Sequence, residues 1–402
     1  TSIVVWLTLG FAMGLTRGFC IHISQAYGKK DYHLVNRGFF VASVLSLIVG
    51  AMISIVGSLA IRDFLILMHT PGEILEQSLD YIKVILLGFV ITVLNNLFMS
   101  VLQSLGDSST PFWALLVSSV TNIGLDCVFV LTLKWGVQGA AAATVLSQVF
   151  SFAICAAGLK RLKFVSILDG SKSKNARLTV RMLKTGLPVG IMSMVTAVGG
   201  MILQFFVNDL GASAVAAYAA STKIRSVIGE FSNALGMTFM TFVGQNYGAQ
   251  KYDRIKAGVR MGVLLSILIH IPLSAVEIFG GKRIASLMVT DPPVLELCRQ
   301  YLLIVGIFVF FLGFLMVFRN CIQGMGNTWI PMLSGGLEVF SRLIFGYWLG
   351  RHSFMGIAAA EASAWISVSI MLGSSFFILF RKVLRTQTPE NTTDTKNIRT
   401  DS

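Results

Sequence analysis

Charge is scarce in this sequence. Asp, Glu, Lys and Arg make up 13% of its 402 residues, about half of the ~25% that a soluble domain carries. A water-facing surface of ordinary extent is thereby excluded. Cysteine is sparse and scattered: Cys20, Cys127, Cys155, Cys298 and Cys321 form no CxxC and no paired spacing. That argues against a disulfide framework and against a thiolate metal site. The five histidines include no HExxH pattern. No P-loop, nucleotide fingerprint or catalytic triad is present, so an enzyme or an ATP-driven motor would lack its machinery, and no cofactor is expected. Acidic residues are the scarcer sign, 19 against 32 basic, for a net charge of +13. A nucleic-acid partner is one reading of that excess. The basic residues are dispersed in loops between apolar runs, however, and a membrane protein with positive loops on one side explains them better.

What is abundant is apolar. Hydrophobic residues make up 54% of the chain, and the mean hydropathy is +0.75. Apolar runs fall at about 3–24, 38–60, 80–104, 112–133, 138–160, 183–207, 222–245, 258–280, 298–322, 331–350 and 356–380. Each is near the ~20 residues that a helix needs to cross hydrocarbon. An all-α polytopic membrane protein with eleven spans is expected.

A repeat organises these spans. Gln25-Ala26-Tyr27-Gly28 returns as Gln245-Asn246-Tyr247-Gly248, an offset of 220 residues. The same offset relates Leu67-Met68-x-Thr70 to Leu287-Met288-x-Thr290, and Tyr81 to Tyr301. It also relates Gln103-x-x-Gly106 with Pro111 to Gln323-x-x-Gly326 with Pro331. Matches of Tyr, Gln, Gly and Pro in loop-edge clusters point to two structural copies. Six spans separate equivalent positions, so the copies run parallel, related by an axis along the membrane normal. Residue 1 aligns with Ser221, and the second copy begins with an earlier span, 183–207. The expectation is a twelve-helix protein whose first helix is missing from this sequence. The spans are numbered 2 to 12 accordingly. The expected domains are an N-terminal lobe at 1–160, a polar basic linker at 161–181, a C-terminal lobe at 182–381 and a disordered tail at 382–402.

Counting basic residues sets the expected orientation. Loops 27–37, 160–184, 251–260 and 381–402 hold 20 Lys and Arg, and the opposite loops hold 7. The first set, with both Tyr-Gly loops and the C-terminus, is expected in the cytoplasm. The Asn391-Thr392-Thr393 sequon would then stay unmodified.

Charges inside spans need a partner, a wet cavity or an interface to reach. In span 5, Asn122 and Asp126 are one turn apart and share a helix face. Asp126 lies ~10 Å from the outer end of its span, and Thr144 on span 6 lies at a similar depth. Oxygen ligands around one carboxylate suit a hard monovalent cation or a titratable proton site. The equivalents in the second copy are Arg342, Gly346 and Ala364, so no such constellation is expected there. The competing reading is a buried Asp bonded to Asn for helix packing. Glu230 on span 8 is a candidate wall residue of a substrate cavity, or else a partner of Lys223 or Arg225. Glu338 and Arg342 are spaced to neutralise each other. Arg17 and Arg319 are expected to snorkel to the inner interface, and Glu277 and Glu361 to reach the outer one. Pro188 either starts span 7 or bends it.

The sequence resembles the multidrug and toxic compound extrusion (MATE) family. The resemblance rests on Gln25-Ala26-Tyr27-Gly28, Gln245-Asn246-Tyr247-Gly248-Ala249, Gln103-x-x-Gly106-Asp107 with Pro111, and Gly186-Leu187-Pro188. It implies two six-helix lobes around a central cavity and exchange of Na⁺ or H⁺ for amphiphilic, often cationic, organic compounds. It implies a multi-pass monomer of the cytoplasmic membrane. It also implies a first-lobe cation site at Asn122, Asp126 and Thr144. Span 7 holds no acidic residue, which leans toward the DinF-like branch. A lipid-linked-precursor flippase of the same architecture is the alternative; its cavity would be basic, and here Arg17, Arg319 and Arg342 are the candidates for it.

Overall fold

The computed structural model describes residues 2–67, 72–166, 169 and 175–387, and these are helical almost throughout, with no strand among them. The helices are α1 (Ser2–Gly28), α2 (Tyr32–Leu67), α3 (Gly72–Leu87), α4 (Phe89–Ser104), α5 (Ser109–Asp126) and α6 (Gly136–Arg161). After the linker come α7 (Ala176–Asp209), α8 (Ala212–Gly248), α9 (Tyr252–Ala275), α10 (Pro292–Gly324), α11 (Trp329–Phe345) and α12 (Phe354–Gln387). Wider π turns extend α5 through Thr132, α9 through Gly280 and α11 through Gly350. Among the described residues, seven helices are long and apolar enough to cross a membrane, and α3 with α4, bent by 48° at Gly88, make an eighth when taken as one span. Their outer faces carry exposed Leu47, Ile48, Ile55 and Leu59 on α2, Phe112, Leu115 and Val120 on α5, and Leu268, Ile271 and Phe279 on α9. Large apolar side chains in contiguous bands belong against lipid, not water.

Two principal cores correspond to the two copies. One joins α1, α2, α4, α5, α6 and the start of α7 around Leu15, Phe19, Leu97 and Leu102. The other joins α7 to α12 around Tyr301, Leu302, Trp365 and Phe376. Within the second, α10 packs most extensively on α8 and α12, and α11 on α7 and α12. Helix α1 belongs to the first bundle yet also lies along α7 and α8. It comes so close to α7 because Gly14, Gly18, Gly186 and Gly190 remove the side chains that would hold the backbones apart.

The repeat is visible in backbone detail. Helices α1 and α8 end alike: Lys30 and Gln250 have φ of 60° and 57°, and the Asp31 and Lys251 N–H groups reach back to the Ala26 and Asn246 carbonyls at 3.1 and 2.9 Å. These are left-handed helix stops whose bonds satisfy terminal carbonyls. The turns after α4 and α10 match too, with Gly106 and Gly326 at φ 94° and 92°. There Asp107 and Asn327 accept the N–H groups of Thr110 and Ile330, starting α5 and α11.

Three expectations about boundaries change. Pro188 does not start its span; it sits inside helix α7, twelve residues from Ala176. That helix begins at Ala176, within the expected linker. Helix α12 runs to Gln387, past the expected start of the tail at 382. Residues 388–402, with the Asn391 sequon, and Met68 and Thr70 of one repeat match lie outside the described residues.

Candidate functional site

The repeat loops meet each other. Gln25 Nε2 donates to the Gly324 carbonyl and Gln245 Nε2 to the Ser104 carbonyl, both at 2.9 Å. Each bond crosses from one lobe to the other, and each is the other displaced by 220 positions. The backbones touch as well: a Cβ on Gly28 would collide with the Gln245 carbonyl, and a Cβ on Gly248 with the Gln25 carbonyl. Ser24 Oγ adds a bond to the Thr241 carbonyl at 3.1 Å. Tyr27 and Tyr247 stand behind this seam, packed edge-on against Tyr32 and Tyr252 at 6.3 and 6.0 Å. The seam closes the molecule at that end.

Above it lies a cavity of about 590 Å³ between the lobes. Arg17 of α1 and Glu230 of α8 are both on its wall. Asn233 links them, accepting from Arg17 Nη1 at 3.4 Å and donating to Glu230 at 3.4 Å. Arg17 therefore faces this cavity and does not snorkel. Arg225 pairs with another acid and not with Glu230, as described below.

In the first lobe α5 packs on α6, and Ser118 Oγ bonds the Ser147 carbonyl at 3.0 Å to pin the pair. Asn122 and Asp126 are half-buried on α5. Asn122 Nδ2 and Asp126 Oδ1 are buried and have no hydrogen-bond partner among the described residues. Thr144 Oγ1 donates to the Ala140 carbonyl of its own helix at 3.0 Å. Its proton is thus occupied, and its oxygen lone pairs stay free to accept or to ligate. A carboxylate oxygen left unsatisfied in an apolar bundle is costly unless a cation or proton neutralises it.

The second lobe holds a constellation that the sequence reading missed. Glu361 and Glu277, expected at an interface, are each 1% exposed, and Arg319, expected to snorkel, is 4% exposed. The groups form a chain of alternating sign. Arg319 pairs with Glu338 at 3.0 Å, Glu338 with Arg342 at 2.9 Å, Arg342 with Glu361 at 3.7 Å, and Glu361 with Arg225 at 3.0 Å. Tyr301 donates its hydroxyl to Glu361, and Arg225 lies over the Trp365 ring, 5.7 Å from its centroid. The expected Glu338–Arg342 pair is thus present, but as the middle of a five-membered chain. Gly199 makes room for it, since a Cβ there would sit 2.6 Å from Arg342 Nη1. A signal existed: Arg342 and Glu361 lie about two turns from the same end of adjacent helices, the depth argument already applied to Asp126 and Thr144. Glu277 stands apart, both its carboxylate oxygens buried without a hydrogen-bond partner among the described residues.

Comparison with known proteins gives this architecture its family. The MatE pattern matches residues 1–128 and 188–348. A probable multidrug resistance protein of Bacillus subtilis, YoeA, is 27% identical over 375 residues, covering 88% of this chain and 81% of that protein. A probable multidrug resistance protein of Thermotoga maritima, NorM, is 23% identical and covers 94% of this chain and 82% of its own length. Among solved structures, a MATE protein in a bent conformation superposes with a TM-score of 0.88 at 22% identity, covering 95% of this chain and 86% of that one. A multidrug resistance MATE family transporter in an outward-facing conformation superposes at 0.86, covering 96% and 87%. The chain belongs to the MatE family, a family of membrane transporters and not of enzymes.

Proposed function

We propose that this protein is a multidrug exporter of the cytoplasmic membrane that exchanges amphiphilic, often cationic, organic compounds for Na⁺ or H⁺. The names of the Bacillus and Thermotoga relatives support export of drugs. The distribution of basic residues supports placing the repeat loops and the C-terminus in the cytoplasm. The observation that carries ion coupling is the buried, unpartnered carboxylate oxygen Asp126 Oδ1 on α5, one turn from Asn122. A cation or proton arriving from outside neutralises Asp126, with the Asn122 carbonyl and the Thr144 hydroxyl as further oxygen donors. Occupancy then favours one arrangement of the lobes over the other, which is the only way a ligand shifts an equilibrium. The inter-lobe cavity with Glu230 and Arg17 holds the compound meanwhile. The closed Gln25–Gln245 seam keeps that cavity sealed from the cytoplasm while it discharges outward, and must part when the site reloads. One charge moving inward across 100 mV supplies about 2.3 kcal/mol, roughly a fiftyfold gradient. No ATP is consumed.

The test is ethidium efflux by the full-length protein in everted vesicles, with Na⁺ and pH gradients imposed separately. One gradient should drive efflux in the wild type. Asp126→Asn should abolish the driven component while leaving the protein folded and monodisperse. Efflux by Asp126→Asn at the wild-type rate would remove the coupling role from this site.

A further inference from the structure

The alternating chain in the second lobe lines a cavity of about 850 Å³ enclosed by α7, α8, α10, α11 and α12, with no residue from the first lobe in its wall. Its charge pattern is lopsided. Cations occupy both ends and the middle, Arg319, Arg342 and Arg225, and the two carboxylates lie between them. Each carboxylate is spanned by two guanidinium groups, so its charge is already paired. The guanidinium groups are not exhausted. Nε of Arg225, Arg319 and Arg342 are all buried without an acceptor among the described residues. An arginine can only donate. Those Nε–H groups are closed off from the cavity, so what the charged part of this wall presents to it is guanidinium surface with a surplus of one positive charge over its two acids. Glu277 is within electrostatic reach of Arg225 and Glu361 but forms no part of the wall. The lining also includes apolar, adaptable side chains, Met201, Met316 and the exposed Phe205.

We propose that this second-lobe cavity is a binding site for amphiphilic organic anions: a carboxylate or sulfonate seated on the three arginines, an apolar body against the methionines and Phe205. Guanidinium groups match such oxyanions in shape and charge, and methionine surfaces accommodate varied apolar shapes. A cationic amphiphile would meet carboxylates already paired with arginine and a net positive wall. The cavity is wholly separate from Asp126, and the proposal stands whether or not transport is ion-coupled.

Two probes with one fluorophore test it. Dansylglycine carries a carboxylate and dansylcadaverine an ammonium. Equilibrium binding to the purified full-length protein is followed by dansyl fluorescence at neutral pH, with empty micelles subtracted. Dansylglycine should bind at least tenfold more tightly. Gly229 lines the cavity, and a Cβ built there meets nothing within 4 Å, so Gly229→Leu adds bulk to the cavity while keeping every member of the ion chain. It should weaken dansylglycine at least tenfold and leave any dansylcadaverine binding unchanged. Arg225→Gln should reduce the preference for the anion, and if that variant fails to fold, Gly229→Leu still decides. Equal affinities, tighter binding of the cation, or dansylglycine binding unaltered by Gly229→Leu would overturn the proposal. Because binding at equilibrium needs no gradient, this result is independent of the efflux test.

Discussion

Replacing Glu338 with leucine should destabilise the second lobe by about 3–5 kcal/mol, the cost of stranding buried charge. Glu338 is the shared acceptor of Arg319 at 3.0 Å and Arg342 at 2.9 Å, and all three side chains are almost fully buried. Arg342 would retain only Glu361, at 3.7 Å, and Arg319 would retain no ion pair among the described residues. An exposed pair would give a different result, about 0–1 kcal/mol. The double variant Arg319→Met with Glu338→Leu should be less damaging than Glu338→Leu alone, because it removes one of the charges left behind. Denaturant or thermal unfolding in detergent, followed by helical circular dichroism, measures both. A Glu338→Leu protein as stable as the wild type would mean that the arginines find other acceptors or water.

The seam between the lobes gives the second large effect. Gly28→Leu and Gly248→Leu should each lower efflux at least tenfold, because the added side chain meets a backbone carbonyl that cannot step aside. Both should also open the end of the molecule that the positive-inside rule assigns to the cytoplasm. Ser104 is buried there, with its carbonyl bonded to Gln245. A cysteine placed at Ser104 in a background freed of native cysteines should resist a membrane-impermeant maleimide in the parent and react rapidly in the glycine variants. Normal efflux by Gly248→Leu would show that the two ends need not meet during the cycle.

Those seam residues were legible in the sequence, because they repeat. Gln25, Tyr27 and Gly28 recur as Gln245, Tyr247 and Gly248, and the φ values at Lys30 and Gln250 or Gly106 and Gly326 recur with them. A turn is a local object, written in a few adjacent residues, so a copied turn leaves a copied string. The all-helical membrane class was legible for a similar reason, since hydrocarbon thickness imposes a length that composition reveals. What repetition could show was the position of the seam, not that Gln25 reaches across to the other lobe. The second-lobe ion chain was less legible because its members come from four helices and share no motif. Arg319, Glu361 and Glu277 lie near span ends, where snorkelling to an interface is the sound default. Their burial follows from neighbours at the same depth, which only the packing of α8, α10, α11 and α12 brings together. Asn122 and Asp126 could be placed on one face of one helix from spacing alone. That their atoms lack partners in the bundle depends on α6 and the rest of the first lobe.

The reciprocal bonds at the seam, Gln25 to Gly324 and Gln245 to Ser104, have the form of contacts across a two-fold axis in a homodimer: patch i meets patch j, and j meets i. Here both subunits are joined in one polypeptide. One repeat therefore already carries donor and acceptor halves of the contact, and a substitution in either copy disables only one of two equivalent clasps. Selection can then tune each clasp by itself, so the two halves of a once self-complementary surface are free to drift toward unequal strength.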